Sequence, residues 1–186
     1  MPAVPETKSA WTNNVDALDS TNLNAYLRDP IRFLMDRPAA MLRQTAAQSI
    51  PTGGSFTPVT FGSEVFDDDP DGVGGHSTSS NTSRYTVRYP GIYLLGGGCG
   101  FAVSATGVRG VAWLLNGAVI DGSDVMLQAV TTASTSTRVP ARQITVSLAE
   151  GDYVELGAFQ TSGGALNTVT GSAAASMSVT WMRLVP

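Results

Sequence analysis

Residues 84–93 read RYTVRYPGIY and residues 148–154 read LAEGDYV, and these two stretches decide the fold of the chain. Both lie in a region, residues 85–181, where apolar and polar residues alternate over short runs. A period of two is typical of β-strands that bury one face. Gly91 and Gly151 interrupt the runs, as turns do, so the region predicts short strands joined by turns.

The clearest turn signal is Asn116-Gly117, because both central residues of a type I′ hairpin turn need positive φ and this pair tolerates it. Short strands spaced about 8 to 12 residues apart predict an all-β protein, namely a β sandwich or jelly roll. The predicted strands are two within 56–66, then 84–89, 92–95, 101–103, 108–115, 118–120, 125–130, 138–148, 153–159, 166–170 and 176–184.

A different pattern precedes the strands. Residues 1–10 are rich in proline and lack periodicity, which predicts an extended arm. A short helix is expected from Leu18 to Asp29, with Asp19, Ser20 or Thr21 as its cap, and a second from Asp29-Pro30 to Pro38. The Pro- and Gly-containing residues 51–58 read as a hinge. The sequence therefore predicts an N-terminal arm and helical docking region, 1–50, followed by a β domain, 51–186.

Both predicted helices are shorter than the roughly 12 to 15 residues that an isolated helix needs in water, so each must pack on something. One alternative is that they fold back on their own β domain. The other is that their apolar and aromatic side chains dock on another subunit. The candidate docking residues are Trp11, Leu23, Tyr26, Leu27, Phe33 and Leu34.

Composition narrows the function classes. Charged residues make up 14% of the 186 residues, the formal net charge is −4, and Lys8 is the only lysine. Nucleic-acid binding is not expected without a dense cationic surface. The sequence has no run of about 18 apolar residues that would predict a membrane span, and its N-terminus has no apolar run that would predict a secretory leader. Synthesis in the cytoplasm is therefore expected.

The sequence offers little for catalysis. Cys99 is the only cysteine and His76 the only histidine, so a buried structural thiol is favoured over a nucleophile. The acidic stretch 67–71 could offer oxygen ligands to calcium, but its spacing favours a solvated turn. The glycine run 96–100 lacks a phosphate-binding pattern and indicates close approach of another backbone, or a twist or bulge in a strand; a close approach would be useful at a three-fold axis. We therefore expect no enzyme activity, metal or cofactor, with a sugar-active jelly-roll enzyme as a distant alternative.

Residues 84–93, with the Leu148, Gly151, Asp152 and Val154 pattern and the final run 176–184, resemble the jelly rolls of the tumour-necrosis-factor-like and complement globular-head family. The resemblance covers roughly residues 55–185. It implies a homotrimer in which Tyr93 faces the shared apolar axis. It also implies core or trimer-interface positions for Phe101, Trp113, Tyr153 and Trp181.

The N-terminal region resembles that of tailed-phage virion proteins, on the basis of Trp11, Val15, Asp19–Pro30 and Gln44–Ile50. This implies a position on the virion surface. We expect a capsid decoration protein or short head spike that docks on the major capsid protein and displays its β domain outward. The alternative is a tail-tip receptor-binding module, attached to tail proteins, whose loops 67–83, 131–137 and 161–164 touch a host surface glycan.

Overall fold

The computed structural model describes residues 4–12, 15–129 and 135–185. They form two antiparallel six-stranded sheets, a two-stranded ribbon and an N-terminal helical segment. The strands are β1 (Ala39–Arg43), β2 (Ser49–Ile50), β3 (Thr57–Pro58), β4 (Ser63–Asp68), β5 (Arg84–Thr86), β6 (Gly91–Phe101), β7 (Val108–Leu115), β8 (Ala118–Val119), β9 (Val125–Gln128), β10 (Thr137–Pro140), β11 (Ile144–Leu148), β12 (Tyr153–Gln160), β13 (Leu166–Asn167) and β14 (Ser176–Arg183).

The main sheet has the order β10-β6-β14-β1-β4, and β11 also pairs with β6. The second sheet has the order β3-β12-β7-β8, with β5 on β12 and β9 on β7. The ribbon pairs β13 with β2. Neighbouring strands in the main sheet are distant in sequence, so its pairing depends on long-range contacts and not on hairpins alone.

The core lies between the two sheets. Alternate residues of β14, such as Met177 and Val179, are fully buried, as are Leu95 on β6 and Leu156 on β12. This is the period-two burial expected of strands with one face in a core. The predicted hairpin at Asn116-Gly117 is confirmed, because these residues have φ of 52° and 83° and join β7 to β8.

The β structure begins earlier than predicted. Strand β1, within the residues assigned to the docking region, lies between β14 and β4 in the main sheet. Ala40 and Leu42 are buried opposite Val179 and Met177. The short run AAMLR directly follows Pro38 and shows little polar alternation, which is why the pattern did not reveal it. Residues 39–50 therefore belong to the sandwich and its ribbon.

The glycine run lies inside one long strand, β6, instead of separating two strands as predicted. A Cβ atom on Gly97 would overlap the carbonyl oxygen of Ser176 and lie 3.2 Å from Cα of Met177. The predicted close approach of another backbone is therefore confirmed. The approaching backbone is β14 of the same chain, however, and not a second copy at a three-fold axis.

The N-terminal helices are continuous. Helix α1 (Ser20–Leu23) passes through a π-helical turn, Asn24–Arg28, into helix α2 (Asp29–Met35). Asp19 caps the start, since its side chain accepts a hydrogen bond from the backbone N–H of Asn22 at 2.8 Å. Pro30 has no N–H to give to the preceding turn, and the widened turn, in which the N–H of Asp29 reaches the carbonyl of Asn24, accommodates it. We call residues 20–35 the helical segment.

Candidate docking and interface surfaces

The helical segment packs on the β domain through Phe33, which is 3% exposed. The ring of Phe33 lies edge-on to Trp181, with centroids 4.9 Å apart, and to Tyr89, with centroids 5.3 Å apart. Such pairs add to the stabilisation from buried area. For this residue the fold-back alternative is the right one. Phe33 is not available to a partner, which corrects its assignment as a docking residue.

The N-terminal arm lies against the helical segment. The rings of Trp11 and Tyr26 meet edge-on, with centroids 6.3 Å apart. The ammonium group of Lys8 lies 4.7 Å from the Trp11 ring centroid and forms an ion pair with Asp16. Val4 packs against the core. Trp11 and Tyr26 thus hold the arm to the helical segment, and their contact with a partner stays a prediction.

Five apolar side chains of the helical segment are exposed. Four are spaced by four residues, which places them along one side of a helix. Their exposed fractions rise from 37% at Leu23 to 83% at Met35. We call this set the helix stripe: Leu23, Leu27, Ile31, Leu34 and Met35. It contains three predicted docking residues, Leu23, Leu27 and Leu34, and two that sequence reasoning missed.

Four of the five predicted trimer-interface residues are enclosed within their own protomer. Tyr93, Phe101 and Trp113 have no exposed surface, and Trp181 is 4% exposed. Their polar atoms are also satisfied internally: the Tyr93 hydroxyl donates to the carbonyl of Tyr89 at 2.6 Å, and the Trp113 indole N–H donates to that of Arg142 at 2.7 Å. These four residues are core residues, because aromatic side chains on inward strand positions fill the space between the sheets.

Tyr153 differs from the other four. It is partly exposed, and the guanidinium of Arg84 lies 3.9 Å from its ring centroid. Arg84 is in turn oriented by Glu155, whose carboxylate lies 3.3 Å from its Nε. A place for Tyr153 in a trimer interface stays a prediction.

The outward side of the main sheet offers a better interface candidate. Leu94, Thr180 and Ala39 lie in register on three adjacent strands, and Ser178, Met41 and Phe66 form the neighbouring row. Phe66 is 42% exposed although it lies on a sheet. We call these six residues the sheet face. The charged residues Asp68 and Arg43 lie only at its margins, so its centre is uncharged.

The acidic loop builds its own turn. Asp67 accepts hydrogen bonds from the backbone N–H groups of Gly75 and His76, at 3.0 and 2.7 Å. Burial raises the pKa of its carboxyl. Asp69 accepts from the N–H of Val73 at 3.0 Å, and Nε of Arg88 lies 2.8 Å from its other oxygen. In the parts of the chain that the structure describes, no three metal-ligating side chains come together.

The structure does not pair the only histidine with the only cysteine. The ring nitrogens of His76 face Glu64, at 2.8 Å, and the carbonyl of Thr82, at 3.2 Å. The Cys99 thiol is buried and donates to the carbonyl of Gly100. Burial raises the pKa of this thiol to about 12.

We expect Cys99 to resist alkylation in the folded protein. Because only the thiolate reacts, iodoacetamide at about pH 8 should label the native thiol roughly a thousandfold more slowly than the thiol in denaturant. Since the folded state disfavours the thiolate, stability should also fall as the pH rises from about 8.5 toward the native pKa. Mass spectrometry of timed samples measures the rate. Rapid native labelling would contradict the buried position.

None of the helices formed by residues 4–12, 15–129 and 135–185 has the length and apolar character that a membrane crossing requires.

The two-sheet core and its topology define an all-β jelly-roll sandwich of the tumour-necrosis-factor and complement type, as predicted.

Comparison with solved structures gives the basis for this class. The globular domain of zebrafish complement 1qA is 17% identical, with a TM-score of 0.50, over 80% of this chain and 100% of that chain. Murine APRIL is 13% identical, with a TM-score of 0.55, over 78% of this chain and 98% of that chain. Eiger TNF from S. frugiperda is 15% identical, with a TM-score of 0.54, over 81% of this chain and 96% of that chain.

At these identities the likeness establishes the fold and nothing finer. No family model matches the sequence, and no curated protein matches it.

Proposed function

We propose that the chain is a homotrimeric surface protein of a tailed-phage virion, made in the host cytoplasm and assembled onto the particle. It attaches through its N-terminal helical segment to the major capsid protein and displays the jelly roll outward, as a decoration protein or short head spike. The observation that carries the proposal is the helix stripe, five exposed apolar side chains on a segment that is fixed to the β domain by Phe33.

The helix stripe has the character of a docking surface. Burial of apolar surface stabilises a contact by about 25 cal/mol for each Å² removed from water. Five apolar side chains buried together can therefore support binding. Phe33 holds the segment on the β domain, so the segment is already ordered before it binds. The loss of conformational entropy on binding is therefore small. The resemblance of residues 11–30 to virion proteins indicates a capsid subunit as the partner.

The sheet face supports the trimer. A surface with an uncharged centre that carries exposed Phe66 on one side and part-exposed Leu94 on the other is suited to burial against copies of the same chain. Three docking segments on one trimer make the second and third attachments effectively intramolecular, so weak contacts still give durable binding. Sedimentation equilibrium should give three times the mass of one chain.

Tail-tip receptor binding is the second candidate, because a polar cavity with two arginines opens beside β1. Of the loops predicted to touch a glycan, 67–83 is folded on its own carboxylates and 161–164 on Gln160 and Thr52. Loop 131–137 lies largely outside the described residues. A role in host attachment would therefore use the cavity before it used these loops.

Particle binding tests the leading proposal. Particles assembled without this chain are mixed with purified protein, and co-sedimentation is measured. We expect L27E with I31E to lose particle binding by about tenfold or more, because two carboxylates cannot be buried in an apolar contact. The matched control is V103E with V119E, since its sites are 51% and 43% exposed, close to 56% and 44% at Ile31 and Leu27. Equal binding by both variants would reject the helix stripe as the docking surface.

Immunogold electron microscopy locates the protein. Antibody against the β domain should label the head of the virion. Label confined to the tail tip would replace the capsid proposal with the receptor-binding candidate, and unlabelled virions would reject both.

A further inference from the structure

A polar cavity of about 470 Å³ lies where β1 leaves the main sheet. Its wall combines β1, the start of β10, the short 3₁₀ helix Gly171–Ala173 and the start of β14. Its lining includes Met41, Arg43, Gln44, Arg138, Ser172 and Ser176. We propose that this cavity binds an acidic sugar, a small ligand with one carboxylate and several hydroxyl groups.

The charge of the cavity is positive and uncompensated. Arg43 is exposed, and the ion pairs found between described residues do not include it. Arg138 is the second cation, and the described residues of the lining contribute no carboxylate. A ligand carboxylate can accept two parallel hydrogen bonds from the planar guanidinium of Arg43, which is the geometry that arginine favours.

Arg138 is held in position by its own bonds. One terminal nitrogen donates to the carbonyl of Ala174 at 3.1 Å, and the other lies 3.4 Å from the hydroxyl of Ser176. The guanidinium therefore stays at the cavity wall with its charge in place. Arg43 is free to meet the ligand, whereas Arg138 supplies a fixed positive field and orients the hydroxyl of Ser176.

Gln44 indicates that the ligand carries hydroxyl groups. It is 3% exposed, and neither its amide nitrogen nor its amide oxygen finds a hydrogen-bond partner within the described part of the chain. A buried amide without partners is unfavourable, so it favours a ligand that completes its bonds. A sugar hydroxyl can both accept from the nitrogen and donate to the oxygen, whereas an anion without an O–H group, such as sulfate, cannot donate.

The remaining features fit the same class of ligand. The cavity volume is in the range of small-molecule sites and holds a monosaccharide or disaccharide. Met41 offers an apolar contact for the ring face of a sugar. Met41 is also one of the six residues of the sheet face, so the cavity lies at the margin of the proposed trimer interface. The helix stripe shares no residue with the cavity, so ligand binding and particle attachment can each fail alone.

Binding of D-glucuronate to the full-length protein tests the proposal, with D-glucose and acetate as matched probes. Calorimetry should show binding of glucuronate, with glucose and acetate each at least about tenfold weaker, because each lacks one half of the recognised chemistry. R43Q should weaken glucuronate about tenfold, and R183Q, an exposed arginine on β14 away from the cavity lining, should leave it unchanged.

Three results would overturn the proposal. Equal binding of acetate and glucuronate would show an anion site only, equal binding of glucose would remove the role of Arg43, and absence of glucuronate binding would remove the site. R43Q changes an exposed side chain, so unchanged thermal unfolding is expected and verifies that the variant is folded. Q44L, which removes the unpartnered amide, should also lose the preference for glucuronate over acetate.

Discussion

Replacing Phe33 with alanine is expected to release the helical segment from the β domain. Loss of a buried phenylalanine costs about 3 to 5 kcal/mol. An isolated helix of the length of residues 20–35 is only marginally stable in water, and Pro30 is the one other buried residue of helix α2. The cost therefore falls first on docking of the segment. The sandwich should stay folded, with Trp181 and Tyr89 newly exposed.

Limited proteolysis measures this release. Trypsin can cut after Arg28 and Arg32 once the segment opens, and cleavage follows the population of the open form. A cost of about 3 kcal/mol predicts cleavage roughly 100-fold faster in F33A. L34A is the matched control, because Leu34 is adjacent and 66% exposed. Equal cleavage of F33A and wild type would mean that Phe33 does not anchor the segment.

G97A should destabilise the whole sandwich. The added methyl group would meet the backbone of β14, at the carbonyl of Ser176 and Cα of Met177, and a backbone cannot rotate away as a side chain can. Strands β6 and β14 must separate at the centre of the main sheet. Overpacking of this kind costs about 3 kcal/mol or more, which lowers the Tm by about 6 to 12 °C for a chain of this length.

The control for G97A is G164A. A methyl group on Gly164 meets no atom within 4 Å, and the residue does not have positive φ. This substitution should be neutral or stabilise by less than about 1 kcal/mol, because it restricts only the unfolded chain. Circular dichroism melts compare the two variants. A G97A protein that melts with the wild type would mean that β6 and β14 do not approach as closely as described.

The sandwich was predictable because its strands alternate and its turns carry specific residues. Asn116-Gly117 is a local signal, and the structure has the expected turn there. Strand β1 was not predictable, because the run AAMLR is short and becomes a strand only through its pairing with β14 and β4 on either side. Helix continuity was missed for a related reason: Pro30 was read as a start, and the π-helical turn that absorbs it has no sequence signature.

The surfaces were less predictable than the fold. An aromatic residue on a strand predicts a buried side chain, but the sequence does not say whether the same protomer or a neighbouring protomer buries it. Tyr93 and Trp113 are buried within their own sandwich. The helical pattern alone did not show which side of the helix faces the sandwich. The exposure of Leu27 follows only once Phe33 is known to be the buried residue. The cavity residues Arg43, Arg138 and Ser172 come from three distant segments, so no local pattern joins them.

The connection between the helical segment and β1 sets how a mechanical load would travel. The segment leads through Pro38, whose carbonyl accepts from the N–H of Trp181 at 2.9 Å, directly into a strand paired on both sides. A pull on the helical segment is therefore applied along β1, and the hydrogen bonds to β14 and β4 resist it together in shear. A strand at the edge of the sheet could instead peel away one bond at a time. The β domain is thus joined to the helical segment through an interior strand of its main sheet, not through an edge strand.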